Sequence, residues 1–146
     1  MTSKPRCIED LFDRAELQDL VTVLTTCLDS RDFDGLSGVY TPDATLETPA
    51  GVSTGAAAIV DVARSNHEIY AATQHFVSGV AITQAGAEAT VTADVLAVFV
   101  PAQSKPGEHR MLGSRYTFQA RKARAGWRFH QHVITPIWAH RPPADQ

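Results

Sequence analysis

The stretch EATVTADVLAVFV, Glu88–Val100, decides the fold class. Its apolar residues recur with period two. Val91, Val95 and Phe99 fall on one face; Leu96, Val98 and Val100 fall on the other. That is strand spacing, and Pro101 ends it. Both faces turn apolar toward the end, so cover is expected on both sides there. The same spacing spreads outward. Residues 74–83 read as a strand before it. Residues 110–122 follow, with Leu112, Ser114, Tyr116, Phe118 and Ala120 on one side. "RAG" turns the chain, and Gly126 suits the positive φ of a hairpin bulge. Residues 127–138 make the fourth long strand.

Upstream the period changes to that of a helix. Leu17, Leu20, Val21, Leu24, Cys27 and Leu28 recur at steps of three and four. Asp13 is expected to cap this helix and Glu16 to reach back, a capping box, with Phe12 and Leu17 as a hydrophobic staple. The helix is expected to end near Ser30, and "IEDLF" ahead of it can form a short lead-in helix. Phe33, Leu36 and Val39 or Tyr40 suggest a second helix stopped by Pro42. Ala56, Ile59, Val60, Ala63 and His67 suggest a third, capped by Thr54. Between these two there is room for a strand and a turn. Helices first and a run of long antiparallel strands afterwards make an α+β fold.

The bulk properties limit the function. The chain has 146 residues, 44% hydrophobic and 20% charged, a length and mix suited to a single domain with a real core. A net charge of -3 and no basic block beyond "RKAR" (121–124) argue against nucleic acid. That cluster reads as a solvated hairpin tip. No run approaches a membrane span or a signal peptide, and the two cysteines give neither a disulfide framework nor zinc spacing. A cytoplasmic location is expected. The core is expected over about 8–139, with a disordered tail over 140–146.

Four stretches then carry a resemblance: "DRAELQDL" (13–20), "LDSRDFDGL" (28–36), "TQHFVSG" (73–79) and "AGWRF" (125–129). In this order they resemble the SnoaL-like and scytalone-dehydratase-like branch of the nuclear transport factor 2-like superfamily, over about residues 13–138. The resemblance implies a cystatin-like cone: a curved, mostly antiparallel sheet packed on three helices, with a pocket inside. It also implies a catalytic pair, the strand histidine His75 and the helix-end aspartate Asp29. A carboxylate on one ring nitrogen fixes the tautomer and leaves the other free to accept a proton. Asp29 lies where the helix dipole disfavours an anion by about 0.3–1 kcal/mol, a local hint of a donor partner. From the residues alone, the favoured reading of Asp29 is a solvated helix-end charge, and that of His75 a half-buried histidine bonded to a carbonyl.

Departures from that pattern narrow the substrate. Ser114 has a counterpart in scytalone dehydratase. Leu28 replaces the tyrosine before the aspartate, Thr48 falls near the second tyrosine, Ala102 near the second histidine and Tyr116 near the asparagine. The groups that hold water against scytalone's carbonyl are gone, so scytalone is not the expected substrate. Leu96, Val98, Phe118 and Trp138 are expected to line a dry pocket. Tyr116 and Ser114 share a face and can donate to a substrate oxygen, although Tyr116 also fits a core aromatic. Tyr70 either gates the mouth or packs at its rim.

His130 and His132 have the spacing of two metal ligands, with His109 or His140 as a third, but a polar strand face explains them equally well and the family brings no metal. Asp94, among Thr90 and Thr92, is expected in solvent. No phosphate loop or serine elbow suggests a cofactor. The resulting expectation is a cofactor-free lyase of dehydratase type, acting on a small apolar cyclic or polyketide-like molecule. The alternatives are an isomerase or polyketide cyclase using the same base, and a non-catalytic ligand-binding or assembly module. A homodimer or homotrimer is expected, because open curved sheets commonly cover a face with another copy.

Overall fold

In the computed structural model, which describes residues 2–143, the chain builds one six-stranded sheet against two α-helices. Helix α1 spans Ile8–Ser30 and a 3-10 turn spans Asp34–Gly38. Strands β1 (Tyr40–Thr48) and β2 (Gly51–Thr54) form a hairpin, followed by helix α2, Ala56–His67. The long strands are β3 (Ala72–Ala85), β4 (Glu88–Val100), β5 (Arg110–Ala123) and β6 (Gly126–His140). A second 3-10 turn, Pro106–Glu108, bridges β4 and β5. The order is β2-β1-β6-β5-β4-β3, antiparallel except where β1 runs parallel to β6.

Each long strand sends alternate side chains to opposite faces. Val91, Ala93, Val95 and Ala97 of β4 are buried inward, with Ser114, Tyr116, Phe118 and Ala120 of β5. Against them α1 lays Leu17, Val21, Leu24 and Leu28, and α2 lays Ile59, Val60 and Ala63. Trp127, Phe129, Phe33 and Leu36 complete the core. A bulge between Ser78 and Ala81 bends β3, with Gly79 at φ +60°, the left-handed region that favours glycine. The bend carries the first half of β3 over the end of α1.

Several expectations about the helices change. The described residues form two α-helices; the segment expected as a second one closes as a 3-10 turn, because the chain must enter β1 at Tyr40, and Pro42 lies inside that strand. The lead-in is the first turns of α1 itself, so Asp13 is a mid-helix residue and not a cap. Its carboxylate is buried and accepts from Lys122 Nζ at 2.7 Å, Trp127 Nε1 at 2.9 Å and Gln84 Nε2 at 2.8 Å. Phe12 is exposed, so no staple forms. Thr54 makes no cap bond; Gly55 is the N-cap of α2. Lys122 is accordingly an anchor rather than part of a solvated tip. The expected tail reaches 144–146, which lie outside the described residues, and its first member, His140, still belongs to β6.

Candidate active site

Asp29 sits in the last turn of α1, and Arg31 closes the helix in the left-handed conformation (φ 61°), with Asp32 N–H bonded back to the Cys27 carbonyl. The carboxylate therefore projects from a helix end where the dipole opposes a negative charge. Strand β3 answers it with three donors. The Thr73 hydroxyl donates to Oδ1 at 3.1 Å, the His75 backbone N–H to Oδ2 at 2.8 Å, and the His75 ring Nδ1 to Oδ1 at 2.6 Å. Thr73 and His75 are two apart and point inward together, which is why one strand supplies all three. Burial works to raise the Asp29 pKa, but the bonds from the His75 ring and backbone and from Thr73 outweigh it and hold it below the usual value.

The carboxylate requires the proton of the neutral ring to lie on Nδ1, so Nε2 presents a lone pair. The His75 side chain is only 2% exposed. His67 lies 5.6 Å from it between ring centroids, and Phe99 lies 6.2 Å from it edge-on. Beyond this aromatic roof opens a cavity of about 370 Å³ lined by Thr48, His67, Tyr70, Phe99, Leu112 and Ile134, among others. Tyr70 packs on Phe99 at 4.9 Å. The Arg31 guanidinium donates to the Tyr70 carbonyl, tying the end of α1 to the chain that leaves α2.

Deeper on the inner face, Tyr116 packs at 4.8 Å from the His132 ring, and His132 Nδ1 pairs with the Tyr40 hydroxyl at 2.7 Å. Burial pushes both tyrosine pKa values well up, which keeps them as neutral hydroxyls. Burial lowers His132 to about 3, so its imidazole is neutral in ordinary buffers. Ser114 Oγ and His132 Nε2 are buried without a hydrogen-bond partner. They are groups a substrate oxygen or an enclosed water could satisfy.

The expected site residues fall into three groups. His75 and Asp29 meet, Thr48 and Tyr70 line the cavity, and Tyr116 and Ser114 lie buried on the same inner face. Phe118 is in the core instead, stacked on Phe129 at 4.1 Å and fully enclosed. Leu96, Val98 and Trp138 are on the opposite, outer face of the sheet. Leu96 pairs with Phe76 and Gly113, Val98 with Gln74 and Met111, and Gly113 with Trp138. The reason is parity: each is an odd number of residues from an inward neighbour, Ala97 or Ala139. The indole of Trp138 covers Gly113 so closely that a Cβ there would meet Nε1 at 2.1 Å. Trp138 is 47% exposed and Phe76 51%, so the second face of β4 is only half covered.

The histidine pair of β6 is also split. A register shift pairs Gln119 with Gln131 and Ala120 with Phe129, leaving His130 as the extra residue. Phe129 and His132 consequently both point in, while His130 approaches Glu88 at 3.5 Å. Among the described residues no three His, Cys, Asp or Glu side chains converge as a cation cage. Asp94 is exposed and pairs with Arg115 at 3.0 Å. The contributors absent from the sequence-derived site are Thr73, Phe99 and His67. For His67 a signal existed: a histidine on the apolar face of a helix.

The sequence pattern of the SnoaL-like domain matches residues 9–133. The chain belongs to this family. No curated protein matches it. Among solved structures, the SnoaL-like chain is similar to the protein named "Putative Scytalone Dehydratase" from Novosphingobium aromaticivorans, at 18% identity and a TM-score of 0.82, over 93% of this chain and 91% of that one. A type 2 hexachlorocyclohexane dehydrochlorinase, LinA, shows 18% identity and a TM-score of 0.82 over 94% of each chain. Kfla4162 from Kribbella flavida shows 22% identity and a TM-score of 0.81, over 88% and 93%. These likenesses establish the α+β cone. No helix among the described residues is long and apolar enough to cross a membrane.

Proposed function

We propose that this SnoaL-like chain is a cofactor-independent lyase that eliminates water from a small, largely apolar cyclic or polyketide-like molecule. One observation carries the proposal: a nearly enclosed imidazole whose Nδ1 is bonded at 2.6 Å to a carboxylate, beside a cavity of about 370 Å³. The names of the similar structures, a dehydratase and a dehydrochlorinase, support an elimination.

The mechanism follows from the tautomer. His75 Nε2 takes a proton from a carbon next to an electron-withdrawing group. The C–H electron pair becomes the new π bond, and the C–O bond breaks. The departing hydroxide takes the proton from the imidazolium and leaves as water. Asp29 stabilises the imidazolium while it exists and holds the ring's orientation. Tyr116 contributes a neutral hydroxyl that donates a hydrogen bond without giving up its proton. The enclosing Phe99 and Tyr70 keep bulk water away, which strengthens those few polar contacts.

The same proton removal also starts an isomerisation or a cyclisation. Mass analysis of products from a panel of small cyclic hydroxyketones separates them: elimination loses one water, isomerisation loses nothing. Products lacking that loss, or a reaction that proceeds equally with His75→Gln, count against the lyase reading. Homo-oligomer formation is proposed from Phe76, Ile137 and Trp138, which leave an apolar outer surface beside the opposite charges of Asp94 and Arg115. Sedimentation of Trp138→Arg against the parent protein reads it, and an unchanged mass speaks against this surface.

A further inference from the structure

His67 is the last residue of α2, and its ring stands between the cavity and the dyad. Its Nδ1 lies 2.7 Å from the Ala63 carbonyl. A carbonyl oxygen only accepts, so Nδ1 carries the hydrogen and donates it. Burial, partly opposed by that same bond, lowers the readiness of the ring to take a second proton. His67 is therefore a neutral imidazole whose Nε2 is a lone pair. That nitrogen is buried and has no hydrogen-bond partner. Around the ring stand Phe33 at 6.2 Å, Phe99 at 5.9 Å and His75 at 5.6 Å, none of which offers a fixed donor. The other charged group facing this region from α1 is Arg31, whose guanidinium is engaged by the Tyr70 carbonyl. Asp29, in the last turn of α1, is already saturated by three donors from β3. A buried acceptor left unmatched costs free energy, and a ligand that brings a donor relieves the mismatch.

We infer that His67 Nε2 is a specificity-determining acceptor that selects substrates carrying a hydroxyl or N–H beside the atom presented to His75. The inference rests on the reading of His75 as the base and adds the substrate class: hydroxylated or aminated rings are taken, while ethers and haloalkanes of the same shape are rejected. The donor recognised by His67 is a group other than the leaving hydroxide, because a neutral imidazole with a bare Nε2 accepts a proton and has none to give at that atom. The Nδ1 bond to Ala63 serves the helix end and fixes the tautomer; selection belongs to the other nitrogen.

The test is binding of a matched pair, 2-naphthol and 2-methoxynaphthalene, followed by calorimetry and by the 15N resonances of the imidazole nitrogens. The naphthol is expected to bind at least about 10-fold tighter than the ether, and to shift the His67 Nε2 resonance where the ether does not. His67→Asn keeps a donor for the Ala63 carbonyl but is too short to put an acceptor at the Nε2 position; the preference is expected to fall to about 2-fold or less. His67→Gln restores an amide oxygen near the Nε2 position, and the preference is expected to return in part. Equal binding of the pair, binding of neither, or a preference that survives His67→Asn overturns the inference. Failure of the base reading looks different: Asp29→Asn then leaves turnover intact while the naphthol preference persists.

Discussion

Helix α1 carries two multiply hydrogen-bonded carboxylates, sixteen residues apart, Asp13 buried and Asp29 part-buried, and the chain uses them for different ends. Asp13 accepts from an ammonium, an indole and an amide, Lys122, Trp127 and Gln84. Asp29 accepts from a hydroxyl, a backbone amide and an imidazole, Thr73 and His75. Both are saturated, and in both the bonds outweigh burial and lower the pKa. The difference lies in the partners. None around Asp13 changes its protonation near neutral pH, so that cluster can only hold α1 to strands β3, β5 and β6. At Asp29 one partner is an imidazole with a second nitrogen, in contact with two rings, His67 and Phe99, that line a cavity. A hydrogen-bonded anion is thus a structural anchor or part of a proton-transfer site according to what donates to it, and a lowered pKa by itself does not distinguish the two.

Substitutions that separate the two sites sharpen this contrast. The largest effect is expected at His75: His75→Gln lowers turnover by about 100- to 10,000-fold, the range for a general base, while Asp13→Ala leaves turnover per folded molecule unchanged. Single-turnover assays normalised to folded protein read both. In stability the ranking inverts. Asp13→Ala leaves the enclosed Trp127 N–H without its acceptor, a loss of about 1–3 kcal/mol in urea unfolding, and a greater loss than that of Asp29→Asn. Equal midpoints for these two variants would break the comparison.

Acid pH provides a third test, because the buried His132 and the two carboxylates lose their stabilising contributions in different pH windows. His132 has its folded pKa depressed to about 3. Between that value and the unfolded value near 6.5, the unfolded chain binds the proton and the folded chain does not. Stability therefore falls as pH drops through this window, by up to about 1.4 kcal/mol per pH unit. Asp13 and Asp29, with folded pKa values lowered, contribute stability that is present above the ordinary carboxylate range and is lost only at pH values below it. His132→Gln is expected to flatten the slope between pH 6.5 and the carboxylate range without removing the steeper loss below it. A slope unchanged by that substitution assigns the acid sensitivity elsewhere. The smallest effect is expected at Asp94, an exposed carboxylate paired with Arg115: Asp94→Ala costs about 0.2–1 kcal/mol, screened by salt, and leaves turnover intact.

How far the site could be read beforehand depended on the range of the interactions. Tyr116 and Ser114 share a face of β5 by strand alternation, from local spacing, whereas Thr73 was missed because β3 begins at Ala72, ahead of the expected start at residue 74. Leu96, Val98 and Trp138 failed because strand periodicity shows which residues go together but not which side the helices take. With both faces of β4 apolar, the sequence offered no sign to choose by. The bulge that splits His130 from His132 has no glycine or proline to announce it. Asp13 looked like a cap because capping is a local pattern, whereas its three donors arrive from residues 71, 109 and 114 positions away.

By itself the sequence determined the α+β class, the four long strands within a few residues, the hairpin at Gly126 and the pairing of His75 with Asp29, the last through a resemblance distributed along the chain. Periodicity and turn chemistry are short-range, and they survive without any knowledge of neighbours. Only the tertiary structure decided which sheet face encloses the cavity, that Asp13 holds the strands together, and that His67 leaves a bare nitrogen inside. Those outcomes are set by which distant donors and acceptors remain unmatched once the helices have settled on the sheet.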